Sequence, residues 1–334
     1  MTKVDEFECS FCKGNTRKQV FSAFDFDDSV EPFNILQCAT CGVAETSPKP
    51  DEVSLNDYYS SPYYGSGAKK FSGLVEFLTI AGNKSRAKKI LKVLSSVRNR
   101  VEKPRVLDIG CGRATLLGQL NQLGCKCIGT ELEKHPQEED LPDIKIYRSS
   151  VEDIKFTDAS FDVVIIWHVL EHLYQPSKTL DEVARITREG GIAAIAVPNF
   201  SSLQSRLFKA NWFHLDLPRH LYHFNLDNLS NALIKRGYVI HSTSTCSLEQ
   251  NLFGFIQSAM NSFRIFGKPN SFYQLLKQNS GLVKKLRLLL YLVLAGLIFP
   301  FALIEFIISC ILKNGASVIL FAQKSEQQFN KDGG

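Results

Sequence analysis

Apolar runs at 105–109, 161–167 and 191–197 have the pattern of buried strands, and the more mixed segments at 125–131 and 145–148 continue the series as strands. Between them, 115–123 and 176–188 repeat their apolar positions with helical period. Strand and helix therefore alternate, which predicts βαβ units around a parallel sheet. Further strands are expected at 237–243 and 316–322. A helix is predicted around 84–103, with Ile90, Leu91, Leu94, Val97 and Val101 on one stripe. Lys84, Arg86, Lys88, Lys89, Lys92, Arg98, Arg100 and Lys103 fall elsewhere on it, as a solvated face or a contact for anionic headgroups. Pro104 ends this helix.

The long segment between 237–243 and 316–322 breaks the pattern. Residues 288–312 carry one charged side chain, Glu305, over a length that a helix needs to cross a bilayer. A single crossing would leave the last strand on the wrong side of the membrane from its sheet. Pro300 divides the stretch into halves too short to cross, and positive charge flanks both ends, with Lys284, Lys285 and Arg287 before and Lys313 after. The pattern predicts a monotopic helical hairpin in one leaflet, both ends cytoplasmic. The other arrangement is a set of buried helices over the sheet or at a dimer interface, with Glu305 and Arg287 paired inside protein.

Composition narrows the class. At 334 residues the chain has room for about two domains. With 44% apolar and 22% charged residues it is neither a disordered chain nor a polytopic membrane protein. A net charge of +5 is too mild for a dedicated nucleic-acid binder, and no nucleic-acid partner is expected. Nine cysteines and a polar start over residues 1–8 favour a reducing cytoplasm, with cysteine as metal ligand or core residue.

Four of those cysteines form two CxxC knuckles, Cys9–Cys12 and Cys38–Cys41. Each knuckle places two sulfurs on one edge of a tetrahedron, so the pair suits Zn2+, and the same ligands also suit iron. Gly14 and Gly42 let backbone N–H groups approach the sulfurs. With four protein ligands no coordination position is open, and the role expected is structural. After Pro48 and Pro50 comes a tyrosine-rich segment from Asp57 to Gly65, either a packing loop or a lid whose phenols reach a ligand.

The strand at 105–109 runs into Gly110-Cys111-Gly112-Arg113-Ala114 and then a helix, a nucleotide-type crossover. A dinucleotide turn would be GxGxxG with a helix N-terminus facing pyrophosphate. Asp108 instead places an acid beside the turn, which repels phosphate and attracts an amino group. The segment from Val106 to Gly112 resembles motif I of class I S-adenosylmethionine (SAM) dependent methyltransferases, as Trp167-His-Val-Leu-Glu-His-Leu173, Gln175-Pro176 and Glu189-Gly-Gly191 resemble later segments of that family. The resemblance covers 104 to about 245. It implies a Rossmann-like α/β fold with a seven-stranded sheet whose last strand is antiparallel. It implies that Asp108, Gly110, Cys111 and Gly112 surround the amino-acid part of the cofactor SAM, with His168 close by. Glu131 would accept both ribose hydroxyls. Asp153 would meet the adenine amino group, with Glu152 adjacent and able to substitute.

Methyl transfer from a sulfonium is an in-line displacement, and an OH or acidic CH nucleophile also needs a base near neutrality, for which histidine is suited. Histidines cluster at His168 and His172, and again at His214, His220 and His223. The chain also resembles, more loosely, the zinc-bearing sugar C-methyltransferases, which implies His220 as base, His172 assisting, and a phenol of the Tyr58–Tyr64 stretch, Tyr64 above all, nearby. Arg219 stands where that family has a Glu. A cation there lowers the pKa of His220, and Arg219 becomes a candidate for an anionic acceptor group such as phosphate.

The expected organisation is a zinc module at 1–50, a tyrosine-rich linker and helical lid at 51–103, a SAM-binding core at 104–247, a hydrophobic helical insertion at 248–314, the final strand at 315–323 and a tail at 324–334. The expected function is SAM-dependent methylation of a sugar or a lipid-linked acceptor (polyprenyl, quinone-precursor or headgroup), at the cytoplasmic face of a membrane contacted through 284–313. The rivals are a catalytically degenerate scaffold and a nucleic-acid methyltransferase with the zinc module as reader.

Overall fold

A computed structural model describes residues 8–25, 32–51, 73–98, 101–132, 141, 143–263, 269–277 and 282–325. In chain order the elements are β1 (Arg17–Ala23), β2 (Phe33–Cys38), β3 (Ala44–Ser47), α1 (Gly73–Val97), β4 (Arg105–Ile109), α2 (Thr115–Gln122), β5 (Lys126–Thr130), β6 (Lys145–Tyr147) and α3 (Val151–Ile154). There follow β7 (Phe161–Trp167), α4 (Pro176–Ile186), β8 (Thr187–Pro198), α5 (Leu203–Phe208), β9 (Tyr222–His223), α6 (Leu226–Ile234), β10 (Tyr238–Ser244), α7 (Leu248–Phe263), α8 (Ser271–Lys277), α9 (Leu282–Ile311) and β11 (Ser317–Lys324).

Seven strands form the main sheet in the order β10-β11-β8-β7-β4-β5-β6. The pairs from β8 through β6 are parallel, and β11 runs antiparallel to both β8 and β10. This is the seven-stranded topology that the family resemblance implies. The strand period of two sorts side chains onto two buried faces. Leu107, Val164, Ile166 and Ile195 meet Leu180 and Val183 of α4 and Leu229 and Leu233 of α6. Val106, Val163, Ile165 and Ala194 meet Leu117 and Leu120 of α2 and Ile90 and Leu94 of α1. With helices on both faces, the strand order reverses between β4 and β7, and a crevice opens beyond their carboxyl ends.

Helix α1 begins earlier and ends sooner than its sequence stripe predicts, at Val97 rather than 103. The Arg98 guanidinium bonds the buried Asp162 at 2.6 Å, and that carboxylate also accepts the Arg105 N–H at 2.8 Å. The end of α1 and the start of β4 therefore share one anion. Strands β1, β2, β3 and β9 form a second, antiparallel sheet, in which Ala44 and Glu45 pair with His223 and Tyr222 from the far side of the core.

The expected helical hairpin is not what forms. Residues 282–311 make one 30-residue helix, α9, with Pro300 inside it. Tyr291, Ala302, Glu305 and Ser309 are its buried positions named in the core. At 100° per residue they lie within about 60° of one another, a narrow docking stripe. Glu305 does not pair with Arg287: its oxygens accept from Gln204 Nε2 and Ser309 Oγ, and Arg287 is exposed. The outward positions are apolar, among them Leu289, Leu290, Val293, Leu297 (68% exposed) and Ile304 (55%). Cysteine is not confined to ligand and core roles, because Cys246 at the start of α7 is bonded to Cys310 at the end of α9.

Gly315, between α9 and β11, packs against the end of β10, where an added Cβ would lie 2.0 Å from the Thr245 carbonyl oxygen. The contact is backbone, so no rotamer change relieves it. Gly315→Ala is expected to cost about 2–3 kcal/mol, measured as a lower urea midpoint.

Candidate active site

The turn after β4 hangs on the neighbouring strand. Gly110 N–H and Cys111 N–H both donate to the Thr130 carbonyl, at 2.8 and 3.0 Å. Gly110 has φ +68°, and an added Cβ would lie 2.6 Å from Val169 Cγ2, so conformation and space both require glycine. Gly112 N–H donates to Glu131 Oε2 and Leu132 N–H to Oε1, both at 2.8 Å, which fixes the Glu131 carboxylate against the turn. Asp108, Gly110, Cys111, Gly112 and Glu131 thus meet at the carboxyl ends of β4 and β5. Asp108 is buried at the end of β4, and burial pushes its carboxyl up to about 7, Arg86 opposing and Glu131 adding to the effect.

Asp153 is exposed at the start of α3 and accepts from Ser150 Oγ at 2.7 Å. Its neighbour Glu152 is held by the Thr179 hydroxyl on α4, which leaves Asp153 as the acid on the open side. His168 ends β7 with φ +55° and donates its N–H to the Ala196 carbonyl. Arg86, assigned by sequence to a solvated or headgroup-facing charge run, turns inward. Its guanidinium lies 4.1 Å from the Trp167 ring centre and donates to Asn83, which in turn donates to Thr115 at the start of α2.

On the other side of the crevice stands a histidine floor. His172, ending a short turn after β7, and His220 pack edge to face with ring centres 4.6 Å apart. His220 Nδ1 lies 2.9 Å from the His214 carbonyl and His172 Nδ1 lies 3.0 Å from the Arg219 carbonyl. A carbonyl only accepts, so both Nδ1 atoms carry the proton and each neutral ring keeps its lone pair at Nε2. Burial, reinforced by His172, holds His220 at about 4, so it is a neutral acceptor at pH 7. Arg219 is not the cause. Its guanidinium is buried and bonds Asp216 at 2.6 Å.

The missing Glu partner is replaced from elsewhere: Asp216 Oδ2 lies 3.8 Å from His220 Nε2. Glu171 lies beside both rings and is buried to 1% exposure. Burial alone would raise its pKa, but the contact with His168 Nδ1 at 3.4 Å, and the charge that His172, His168 and His220 carry when protonated, outweigh this and hold it at about 2.

The N-terminal sheet backs this floor. Thr46 Oγ1 donates to the His220 carbonyl at 2.6 Å, accepts from His223 Nε2, and its N–H donates to the Leu221 carbonyl. Cys9, Cys12, Cys38 and Cys41 bring one sulfur each within 4.8 Å of the others, with Gly14 and Thr40 N–H groups directed at Cys12 and Cys38 sulfurs. Those contacts fit a tetrahedral thiolate-bound ion. Tyr58 and Tyr64 lie outside the described residues. Sequence reasoning missed Arg86 and Thr46, which act on residues distant in the chain, and Asp216 and Glu171, whose partners lie within four residues but meet them only through the turns of the folded loops.

Asp108 binds its proton more tightly folded than unfolded. Its contribution to stability is therefore full below the unfolded value near 4 and declines as pH rises towards about 7. In the ligand-free protein, Asp108→Asn should raise the melting temperature at pH 8, with the gap to wild type closing towards pH 4.

Residues 80–243 match a family model described as a methyltransferase domain. A "Probable S-adenosylmethionine-dependent methyltransferase" of Mycobacterium tuberculosis is 26% identical over 139 residues, 40% of this chain and 48% of that protein. A ubiquinone biosynthesis O-methyltransferase of Maricaulis maris is 32% identical over 133 residues, 36% of this chain and 52% of that protein. The chain spans about half the length of the curated relatives it matches. Among solved structures, a SAM-dependent methyltransferase of Archaeoglobus fulgidus superposes with TM-score 0.45 at 20% identity, covering 73% of this chain and 94% of that one, a likeness too loose to bear on function.

Proposed function

Since residues 80–243 belong to the class I SAM-dependent methyltransferases, we propose that the chain methylates a lipid-linked small molecule, a sugar or a quinone precursor on a hydrophobic tail, at the cytoplasmic surface of a membrane. The observation that carries the lipid reading is the inverted polarity of α9. Its polar residues Glu305 and Ser309 face inward onto Gln204, and its apolar side chains face out.

The most apolar 18-residue window within 285–311 has mean hydropathy 2.4 and is 22% buried. The exposed side chains include neighbours in sequence, Leu289 with Leu290 and Leu292 with Val293, so they wrap most of the circumference. A second protein would cover one side of such a helix, and a bilayer covers all of it. Both ends of α9 stay with the catalytic body, through α7 and α8 at one end and β11 at the other. The helix then lies in one leaflet, with Lys285 and Arg287 in its first turns and Lys313 just after it placed for headgroup phosphates. Four of the relatives are ubiquinone biosynthesis O-methyltransferases by name, which agrees with an acceptor on an isoprenoid tail.

SAM supplies a methyl group on a sulfonium. Asp108 would pair with its ammonium group, the Gly110–Gly112 turn would leave room for its backbone, and Glu131 would accept from the ribose hydroxyls, with Asp153 at the adenine and His168 beside the turn. The histidine floor receives the acceptor. His220 Nε2 takes the proton of the nucleophile, and Asp216 and Glu171 stabilise the imidazolium that results. His172 assists by fixing the ring, and Tyr64 is assigned to the acceptor side. The four-cysteine site is assigned a structural Zn2+ that stiffens the sheet behind His220.

Two measurements test this. Calorimetric titration with SAM should show binding, and Asp108→Asn and Glu131→Ala should each weaken it about tenfold or more, the scale of a lost hydrogen bond to a charged group. No binding to wild type would leave a scaffold. The detergent-purified protein should float with anionic liposomes, and Leu297→Glu with Ile304→Glu should weaken partitioning by about two orders of magnitude, as two buried aliphatic side chains are lost. A detergent-free dimer that ignores liposomes would assign α9 to an interface.

A further inference from the structure

We propose that Glu171, His172 and His220 form a second metal site, distinct from the four cysteines, that binds a divalent transition-metal ion. One potential ligand atom from each of the three lies within 4.8 Å of the other two. Proximity alone would not carry the assignment, and two further observations do.

The first is the state of Glu171. Its side chain is 1% exposed and neither carboxylate oxygen has a hydrogen-bond donor among the described residues. A buried carboxylate without donors is costly, and native proteins pair such groups with a cation or a metal. The nearby guanidinium of Arg219 is directed at Asp216. His168 Nδ1 stands 3.4 Å from Glu171 Oε1 and answers the charge only when that ring is protonated.

The second is the orientation of the two rings. Both Nδ1–H groups are pinned to backbone carbonyls, His214 for one ring and Arg219 for the other. The lone pairs are thereby fixed at Nε2. Metal-ligating histidines are held in this way, one ring nitrogen donating to protein so that the other is presented as ligand. Two imidazoles and one carboxylate are a borderline donor set that suits Zn2+, Fe2+ or Co2+ and is poor for Mg2+ or Ca2+, which prefer all-oxygen shells. Three protein ligands leave a position open, in contrast to the closed four-cysteine site.

The metal site stands on geometry alone, and only its role rests on the acceptor lying against this floor. In that role His220 serves as a ligand in place of the general base described above, and the ion acts as a Lewis acid beside the acceptor's hydroxyl. The pH at which the acceptor ionises would then be set by the metal and not by imidazole.

The test is titration of the full-length, detergent-solubilised protein with Co2+ after removal of bound metal, followed by absorption and metal analysis. Thiolate-bound cobalt gives intense sulfur-to-metal charge-transfer bands, and a nitrogen and oxygen site gives weaker ligand-field bands without them. Wild type should take up a second equivalent with the weaker spectrum. Glu171→Gln and, separately, His172→Asn should lose that equivalent and keep the thiolate bands and SAM binding, which report an intact fold. Cys9→Ser with Cys12→Ser should do the reverse. Saturation of wild type at the thiolate equivalent alone, or a second equivalent retained in both Glu171→Gln and His172→Asn, would overturn the assignment. His168 protonated against Glu171 would then be the cation, visible as an imidazolium by NMR. Failure of the methyltransferase reading would appear as absent SAM binding and leave the cobalt count unchanged.

Discussion

The site depends on a short strand pairing. Ala44 and Glu45 of β3 meet His223 and Tyr222 of β9, and through this ladder the N-terminal sheet grips the loop that carries His214, Asp216, Arg219 and His220. Thr46 extends the grip by donating to the His220 carbonyl while accepting from His223. Tyr222 adds a polar seam, its hydroxyl donating to Ser10 within the first cysteine knuckle and lying 2.8 Å from Lys49 Nζ. The order of the four cysteines therefore reaches the histidine cluster through the β3–β9 ladder and side chains such as Thr46.

The two halves of the site follow different electrostatic rules. At the end of β4, an acid is placed where burial raises its proton affinity. In the loops after β7 and before β9, His220 is neutral at pH 7 while the buried carboxylates stay charged, the reverse of what burial alone would give for the acids. One end of the sheet thus carries both a buried acid with raised proton affinity and a dense set of mutually compensating groups.

Much of this was legible in the sequence. The alternation of strand and helix predicts the sheet, and the family resemblance points to the segment from Val106 to Gly112, which the structure brings against Glu131 at the ends of adjacent strands. His172 and His220 were legible as a pair through family likeness. Arg86 was not, since a basic residue on a mostly solvated helix gives no local sign that it will turn onto Trp167. Nor were Thr46, which reaches the His220 carbonyl from a strand far away in the chain, or Asp216, whose i+3 and i+4 partners meet it only because of the shape of its loop. Pro300 misled because proline within a helix is costly in isolation. In α9 a long apolar segment docked through Tyr291, Ala302 and Glu305 carries the helix through it.

The bond between Cys246 and Cys310 stands where the chain leaves β10 and shortly before it returns to β11, two strands that are neighbours in the sheet. Everything between, α7 to α9, is thereby a closed loop, and it is also held to the core along its length, by Gln204 on the Asn251 carbonyl and Glu305 and by Ser258 on the Phe213 N–H. A cut in the chain between the two cysteines would therefore leave both fragments tethered to one body.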